Sequence, residues 1–386
     1  MFMKLPRLTS LRGVLVLGAF ALALSLALWA CSSNEDGTLA PTQDQVTGYS
    51  AQMPEFAQAI GVHNRAIPEI LANPKVAGTA IGADTHGKPV IMIYTKEFVP
   101  PGQLKDQYDG FRVVQQVTGP MKPMKGRPGG GGGSSGTAKQ TPPVKMGTSG
   151  GWRFDLANGF CCGGTLGSLV QIGANKFVMS NYHVLYSDIV NGGNGRTAQP
   201  GDGVVQPGLI DVACNAATAQ NVATLVAGGG SLPDPGNPSA VDVGVAQVIT
   251  GMVDLSGAIL NVGTISATTL NGSVGLAVKK MGRTTGLTRS TISAINGAFS
   301  IQYENECAGG NSFVQSYQNQ IVIANGGCSF QNGGDSGSLL LEDVATNPRA
   351  VGLCFAGSSV CNGSSIAIAN PIGPVLAKIG GTMVGL

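Results

Sequence analysis

The sequence predicts an all-β main domain over residues 150–386 that ends in a short helix, preceded by a small α/β module over residues 51–120. Three observations carry this expectation. The composition leans to Gly, Ser, Thr, Val and Ala, with 59 glycines among 386 residues and only 11% charged side chains, a balance that suits an exported β protein. After Gly150 short apolar runs alternate with Gly, Asn, Ser and Pro, and few stretches carry the helical period. The segment is also of the length of a two-barrel β domain, about 240 residues.

The first residues are a targeting signal and carry no fold information. Lys4, Arg7 and Arg12 form a basic start, and Val14 to Leu28 is an apolar run that ends in Leu28-Trp29-Ala30-Cys31. The run is too short and too poorly flanked for a spanning helix. Its ending resembles the lipobox of bacterial lipoproteins. That resemblance implies removal of residues 1–30, acylation of Cys31, and a chain held in the cell envelope by lipid in a bilayer. Ser32 stands where an aspartate would be avoided in many Gram-negative lipoproteins bound for the outer membrane. Residues 31–50 are polar and turn-rich and read as a tether. The net charge is +2 with no basic block, so nothing points to nucleic acid or to a polybasic membrane surface.

Within the module, Phe56, Ile60, Ile67 and Ile70 predict helical segments interrupted near Pro68. Val76 to Ile81 and Pro89 to Thr95 predict strands about a turn at Thr85-His86-Gly87-Lys88, and Phe111 to Val117 predicts another. His63 and His86 read as ordinary surface or turn residues, because no Cys, Asp or Glu stands at ligand spacing around them. Residues 121–149 contain five consecutive glycines with prolines and lysines and read as a linker. The main domain closes with Pro371 to Ile379, which reads as its terminal helix.

Chemistry gathers at Gly333-Gly334-Asp335-Ser336-Gly337. A serine needs a base to activate it and donors for the oxyanion that its attack creates. A glycine-rich turn lets the backbone N–H groups of Gly334 and Ser336 converge on one point. The base is His183, the lone histidine of the main domain, at the end of an apolar run from Phe177. Asp242 lies within Ala240-Val241-Asp242-Val243-Gly244-Val245-Ala246, where a carboxylate must be partnered if it is buried. His183 is the partner that fits; Asp254 is the rival aspartate. No metal or organic cofactor is implied.

Cys162-Gly163-Gly164-Thr165-Leu166, the histidine segment and Gly-Asp-Ser-Gly follow one another in the order found in chymotrypsin-like serine proteases, which residues 160 to 380 resemble. Gly282-Arg283-Thr284-Thr285-Gly286 resembles a segment of secreted bacterial members such as α-lytic protease and the streptogrisins. The resemblance implies two six-stranded antiparallel β-barrels, a catalytic triad of His183, Asp242 and Ser336, and a serine endopeptidase acting on polypeptides. Another reading, a degenerate protease-like module used for binding at a membrane, would not need this complete set. By the same resemblance Phe330, Phe355, Ala356 and Gly357 border the specificity pocket; with Phe330 in place of an acid, a small or medium apolar side chain is the expected preference. Phe355 stands where many relatives carry serine, and Ser338 where they carry a second glycine.

Seven cysteines remain besides Cys31, an odd number, so at least one is free or intermolecular. Val184 replaces the cysteine that commonly follows the histidine, which leaves Cys161 and Cys162 in need of another partner, with Cys214 the choice. Near the pocket, Cys328–Cys361 and Cys354–Cys361 compete. Finally, the same resemblance implies a cation for Asp335: no segment like the released amino terminus of animal relatives opens the domain at Thr148-Ser149-Gly150-Gly151-Trp152, and the resemblance to the bacterial members offers Arg283 in its place.

Overall fold

The computed structural model describes residues 48–126, 135–157, 160–186, 196–231, 241–303 and 312–386. The signal and Cys31 lie outside these residues. Helix α1 (Pro54–Ala72) runs unbroken through Pro68, against the expected interruption. A proline inside a helix costs about 3 kcal/mol; here Phe56, Val62, Ala66 and Ile70 on both sides of it are buried in one cluster with Val274, Ile295 and Ile321. The longer strands that follow are β1 (Val76–Ala83), β2 (Pro89–Thr95) and β3 (Phe111–Val117). β1 and β2 pair antiparallel, β2 and β3 parallel. The short strand β4 (Met121–Pro123) comes next.

The main domain opens with β5 (Thr148–Trp152), β6 (Gly164–Leu166), β7 (Ser168–Ile172) and β8 (Asn175–Ser180). A single helical turn, α2 (Tyr182–Leu185), precedes β9 (Gly203–Gln206), β10 (Gln220–Ser231) and β11 (Val243–Val248). Their order is β7–β8–β11–β10–β9–β5–β6. Because β6 and β7 are separated only by Gly167, this order closes into a six-stranded barrel filled by Trp152, Leu169, Val178, Val204, Leu225 and Val245.

The second barrel consists of β12 (Ala277–Gly282), β13 (Gly286–Tyr303), β14 (Phe313–Ala324), β15 (Leu339–Glu342), β16 (Ala350–Ser358) and β17 (Ile366–Pro371). The path β12–β15–β16–β17–β14–β13 is closed by pairing of β12 with β13. Helix α3 (Ile372–Ile379) follows β17. The fold is thus all-β and chymotrypsin-like, with two six-stranded barrels and a short terminal helix. One feature exceeds the expectation. β13 is 18 residues long, and its outer half pairs antiparallel with β1, so the N-terminal strands extend the second barrel's sheet.

Two disulfides, Cys161–Cys214 and Cys328–Cys361, staple loops of the two barrels. Cys162 is also disulfide-bonded. Cys354 is a buried free thiol whose pKa burial pushes up to about 12.

His63, expected at the surface, is fully buried on α1. Its Nε2 lies 3.1 Å from Thr79 Oγ1, which in turn donates to Met92 O, and its Nδ1 faces the Asn296 side-chain amide at 3.1 Å. This set suits a neutral ring that donates through Nε2 and accepts at Nδ1. Desolvation lowers its pKa from 6.5 to about 4. The unfolded chain takes up this proton below about pH 6.5 and the folded chain only near pH 4, so this contribution is complete above 6.5 and lost as pH falls to 4. The loss amounts to about 3 kcal/mol at most. Urea unfolding at pH 7, 5 and 4 should therefore show a smaller acid loss for His63→Gln than for the wild-type chain; parallel pH profiles would contradict this account.

Candidate active site

The turn that carries Ser336 is built around a buried carboxylate. Asp335 has no exposed surface. Its Oδ1 accepts N–H bonds from Thr284 and Thr285 at 2.8 and 3.1 Å, and its Oδ2 accepts from Thr285 Oγ1 at 2.7 Å and from Asn332 N at 3.0 Å. The expected partner was Arg283, and the structure corrects this. Lys280 Nζ, also without exposed surface, lies 3.4 Å from Asp335 Oδ2. Arg283 forms a two-point pair with Asp211 instead, at 2.5 and 2.9 Å. The physical reason lies in the strand alternation: Lys280 on β12 points inward, where it also donates to Thr285 Oγ1 and Gly286 O, while Arg283 begins the turn beyond the strand and reaches toward the first barrel. Gly282 must be small here, because a Cβ would stand 2.3 Å from Asp335 Oδ1.

This anchorage fixes Gly334 at φ 103°, where a Cβ would also collide with Thr284 Oγ1 at 2.2 Å. In that conformation the N–H groups of Gly334 and Ser336 converge. Both donate to one oxygen, the carbonyl of Met124, at 2.6 and 3.1 Å. Thr165 joins the turn to the first barrel, accepting Arg283 N at Oγ1, donating from Oγ1 to Gly334 O, and donating N–H to Ser336 O at 2.8 Å. This is what the Cys-Gly-Gly-Thr-Leu segment contributes. The Ser336 hydroxyl is buried and donates to Phe355 O at 2.9 Å.

From the first barrel come His183, in the α2 turn after β8, and Asp242, immediately before β11. His183 Nδ1 and Asp242 Oδ2 are 2.5 Å apart, and Asp242 Oδ1 accepts the N–H groups of Tyr182 at 2.7 Å and His183 at 3.3 Å. Asp254, the rival, lies elsewhere and is bonded to Ser256 N. The second barrel closes around the pair. Asn370 meets Asp242 N, and Val184 and the Ser336 carbonyl both stand against Gly164.

Tyr303 completes the arrangement and was not foreseen. Its hydroxyl donates to Asp242 Oδ2 at 2.8 Å and lies 2.6 Å from that of Tyr317. Burial first, then the Asp242 charge, holds its pKa well above the ordinary tyrosine value, so it stays a neutral donor. Phe355 brings no hydroxyl to this carboxylate; Tyr303 does. The signal in the sequence is weak, a tyrosine at the far end of an 18-residue strand.

Of the expected pocket residues, Gly357 lies against Met124, where a Cβ would come within 2.7 Å of its Cε. Ala356 pairs with Pro123, and its carbonyl accepts from Gln331 Nε2. Phe355 packs its ring on Tyr317 at 4.8 Å. Phe330 is buried in one cluster with Leu340, Val351 and Cys354, and Lys280 Nζ lies 5.7 Å from its ring centre. Among the described residues no group of His, Cys, Asp and Glu is arranged to hold a metal.

The Nal1 C-terminal domain profile matches residues 218–369, a span that includes Asp242 and Ser336 but not His183. No curated protein sequence matches. Among solved structures, a glutamic acid-specific serine protease is 16% identical over 62% of this chain and all of its own, with a TM-score of 0.40. Thermobifida fusca protease A is 19% identical over 63% of this chain and 99% of its own, at 0.38. Cellulomonas bogoriensis chymotrypsin is 20% identical over 63% and 99%, at 0.39.

Removing one member of a buried ion pair strands the other charge and costs about 3–5 kcal/mol. Lys280→Met, which keeps the length of the side chain, should lower the unfolding free energy by about that amount. Urea denaturation checks it; a midpoint unchanged from the wild-type chain would show that Asp335 is held by its hydrogen bonds alone.

Proposed function

We propose that this protein is a serine endopeptidase. The observation that carries the reading is the convergence of the Gly334 and Ser336 N–H groups on a single carbonyl oxygen, on the turn that bears the Ser336 hydroxyl, in a domain that also holds a hydrogen-bonded His183–Asp242 pair. Two donors directed at one point stabilise charge as it develops on a carbonyl oxygen, which is the electrostatic demand of acyl transfer.

In the proposed reaction the Ser336 hydroxyl turns from Phe355 O to His183 Nε2 and attacks the substrate carbonyl carbon, passing its proton to the imidazole. Asp242 keeps Nδ1 protonated and stabilises the imidazolium, and Tyr303 holds the carboxylate in place. His183 then protonates the leaving amine, and water resolves the acyl-enzyme. A polypeptide is the substrate class, because the extended backbone of Met121–Pro123 pairs with β16, whose Phe355 O accepts the Ser336 hydroxyl. The sequence also supports a setting at the cell envelope, with the chain lipid-anchored to a membrane through Cys31.

Ser336→Ala should retain the wild-type melting temperature and lose at least about a thousandfold in hydrolysis of a denatured protein substrate. Turnover above a few hundredths of the wild-type rate, in preparations free of host protease, would contradict the nucleophile assignment.

A further inference from the structure

The oxygen in the donor pair belongs to this chain. Residues 121–126, Met-Lys-Pro-Met-Lys-Gly, pass through the site in extended form. On one side of the Met124 carbonyl, β4 pairs antiparallel with β16, matching Met121, Lys122 and Pro123 to Ser358, Gly357 and Ala356, and Met124 N donates to Phe355 O at 3.0 Å. On the other side, Gly126 exchanges N–H bonds with Gly163 at 2.9 and 3.4 Å. Lys125 Nζ meets Asp155 Oδ2, whose residue is fully buried, at 2.9 Å. Met124 is itself buried, its methyl group against Gly357.

Backbone pairing on both sides of one carbonyl, with that carbonyl in the two-donor site next to Ser336, is how a polypeptide substrate would lie across the bond to be cut. We infer that the enzyme's first substrate is its own chain and that the scissile bond is Met124–Lys125. The inference rests on the peptidase reading above and adds to it a substrate class: peptides with an unbranched apolar side chain before the cut and a basic residue after it. Gly357 opens the space for the first side chain, and Asp155 provides the charge for the second.

The step balances with water as the co-reactant. Ser336 Oγ bonds to the Met124 carbonyl carbon and gives its proton to His183. The carbon–nitrogen bond to Lys125 breaks, and His183 returns the proton to that nitrogen, which becomes a free amine. Water then releases Met124 as a carboxylate and restores the Ser336 hydroxyl. Because the segment is tethered beside the serine, no diffusional encounter is needed. The released N-terminal piece remains attached through the β1–β13 ladder, so the two pieces elute together under native conditions and part only in denaturant.

The test uses the full chain, wild type and Ser336→Ala, with intact mass in denaturant and N-terminal sequencing. The wild type should yield a C-terminal piece beginning at Lys125, and Ser336→Ala should remain one chain. Met124→Asp, which would bury a charge against Gly357, should be cut at least about a hundredfold more slowly. A wild-type chain that hydrolyses a denatured protein through Ser336 yet stays whole, or is cut elsewhere, overturns the inference and leaves the peptidase reading standing. A folded chain that is neither cut nor active overturns both. Met124→Asp cut at the wild-type rate would refute the substrate class.

Discussion

The carboxylate of Asp335 is buried where four hydrogen-bond donors and the ammonium of Lys280 meet it, and the working geometry of the site hangs from that contact. An unpaired charge at this depth would cost several kcal/mol, so the turn cannot relax without losing donors. Held at both ends, Asn332 to Ser336 has one way to run, with Gly334 in a conformation closed to other residues. The convergent N–H groups are the product. They are held by bonds on the far side of the turn from the oxygen they meet, and donors fixed in this way are the kind that lower a barrier most.

The second requirement is that two barrels supply one site. Thr165 links the first barrel to the Ser336 turn, and Asn370 links the second barrel to the backbone of Asp242. Arg283 and Asp211 add a buried two-point ion pair across the same seam. Tyr303 crosses in the other direction, from the second barrel to the carboxylate that orients His183. Misalignment of about 1 Å at such a seam would slow the proposed acyl transfer about a hundredfold, which gives a reason for so many polar bonds at a junction that apolar packing alone could hold.

Much of this was legible in the sequence, and the limits are instructive. Ser336, His183 and Asp242 stood out because each is a reactive type in a local setting that a structural role explains poorly: glycines around the serine, a lone histidine, an acid in an apolar run. Two-barrel architecture followed from the resemblance those motifs carry. Contacts set by long-range register were not legible. The choice of Lys280 over Arg283 depends on Lys280 standing on β12 while Arg283 begins the turn beyond it and meets Asp211. Tyr303 is 61 residues from Asp242, and Met124 lies more than 200 residues before Ser336. His63 looked like a surface residue because nothing local shows that β1 will join the second barrel's sheet and cover it. The segment around Met124 has the composition of a linker, and only its pairing with β16 and Gly163 shows what it occupies.

Reaction with a fluorophosphonate, followed over hours with the adduct mapped by mass spectrometry, tests the central claim most directly, because the label bonds only to a nucleophile that its surroundings activate. The full wild-type chain should accumulate a single adduct on Ser336, and His183→Ala should accumulate little or none. A demonstrably folded wild-type chain that takes no label, or one labelled equally fast without His183, would contradict the account.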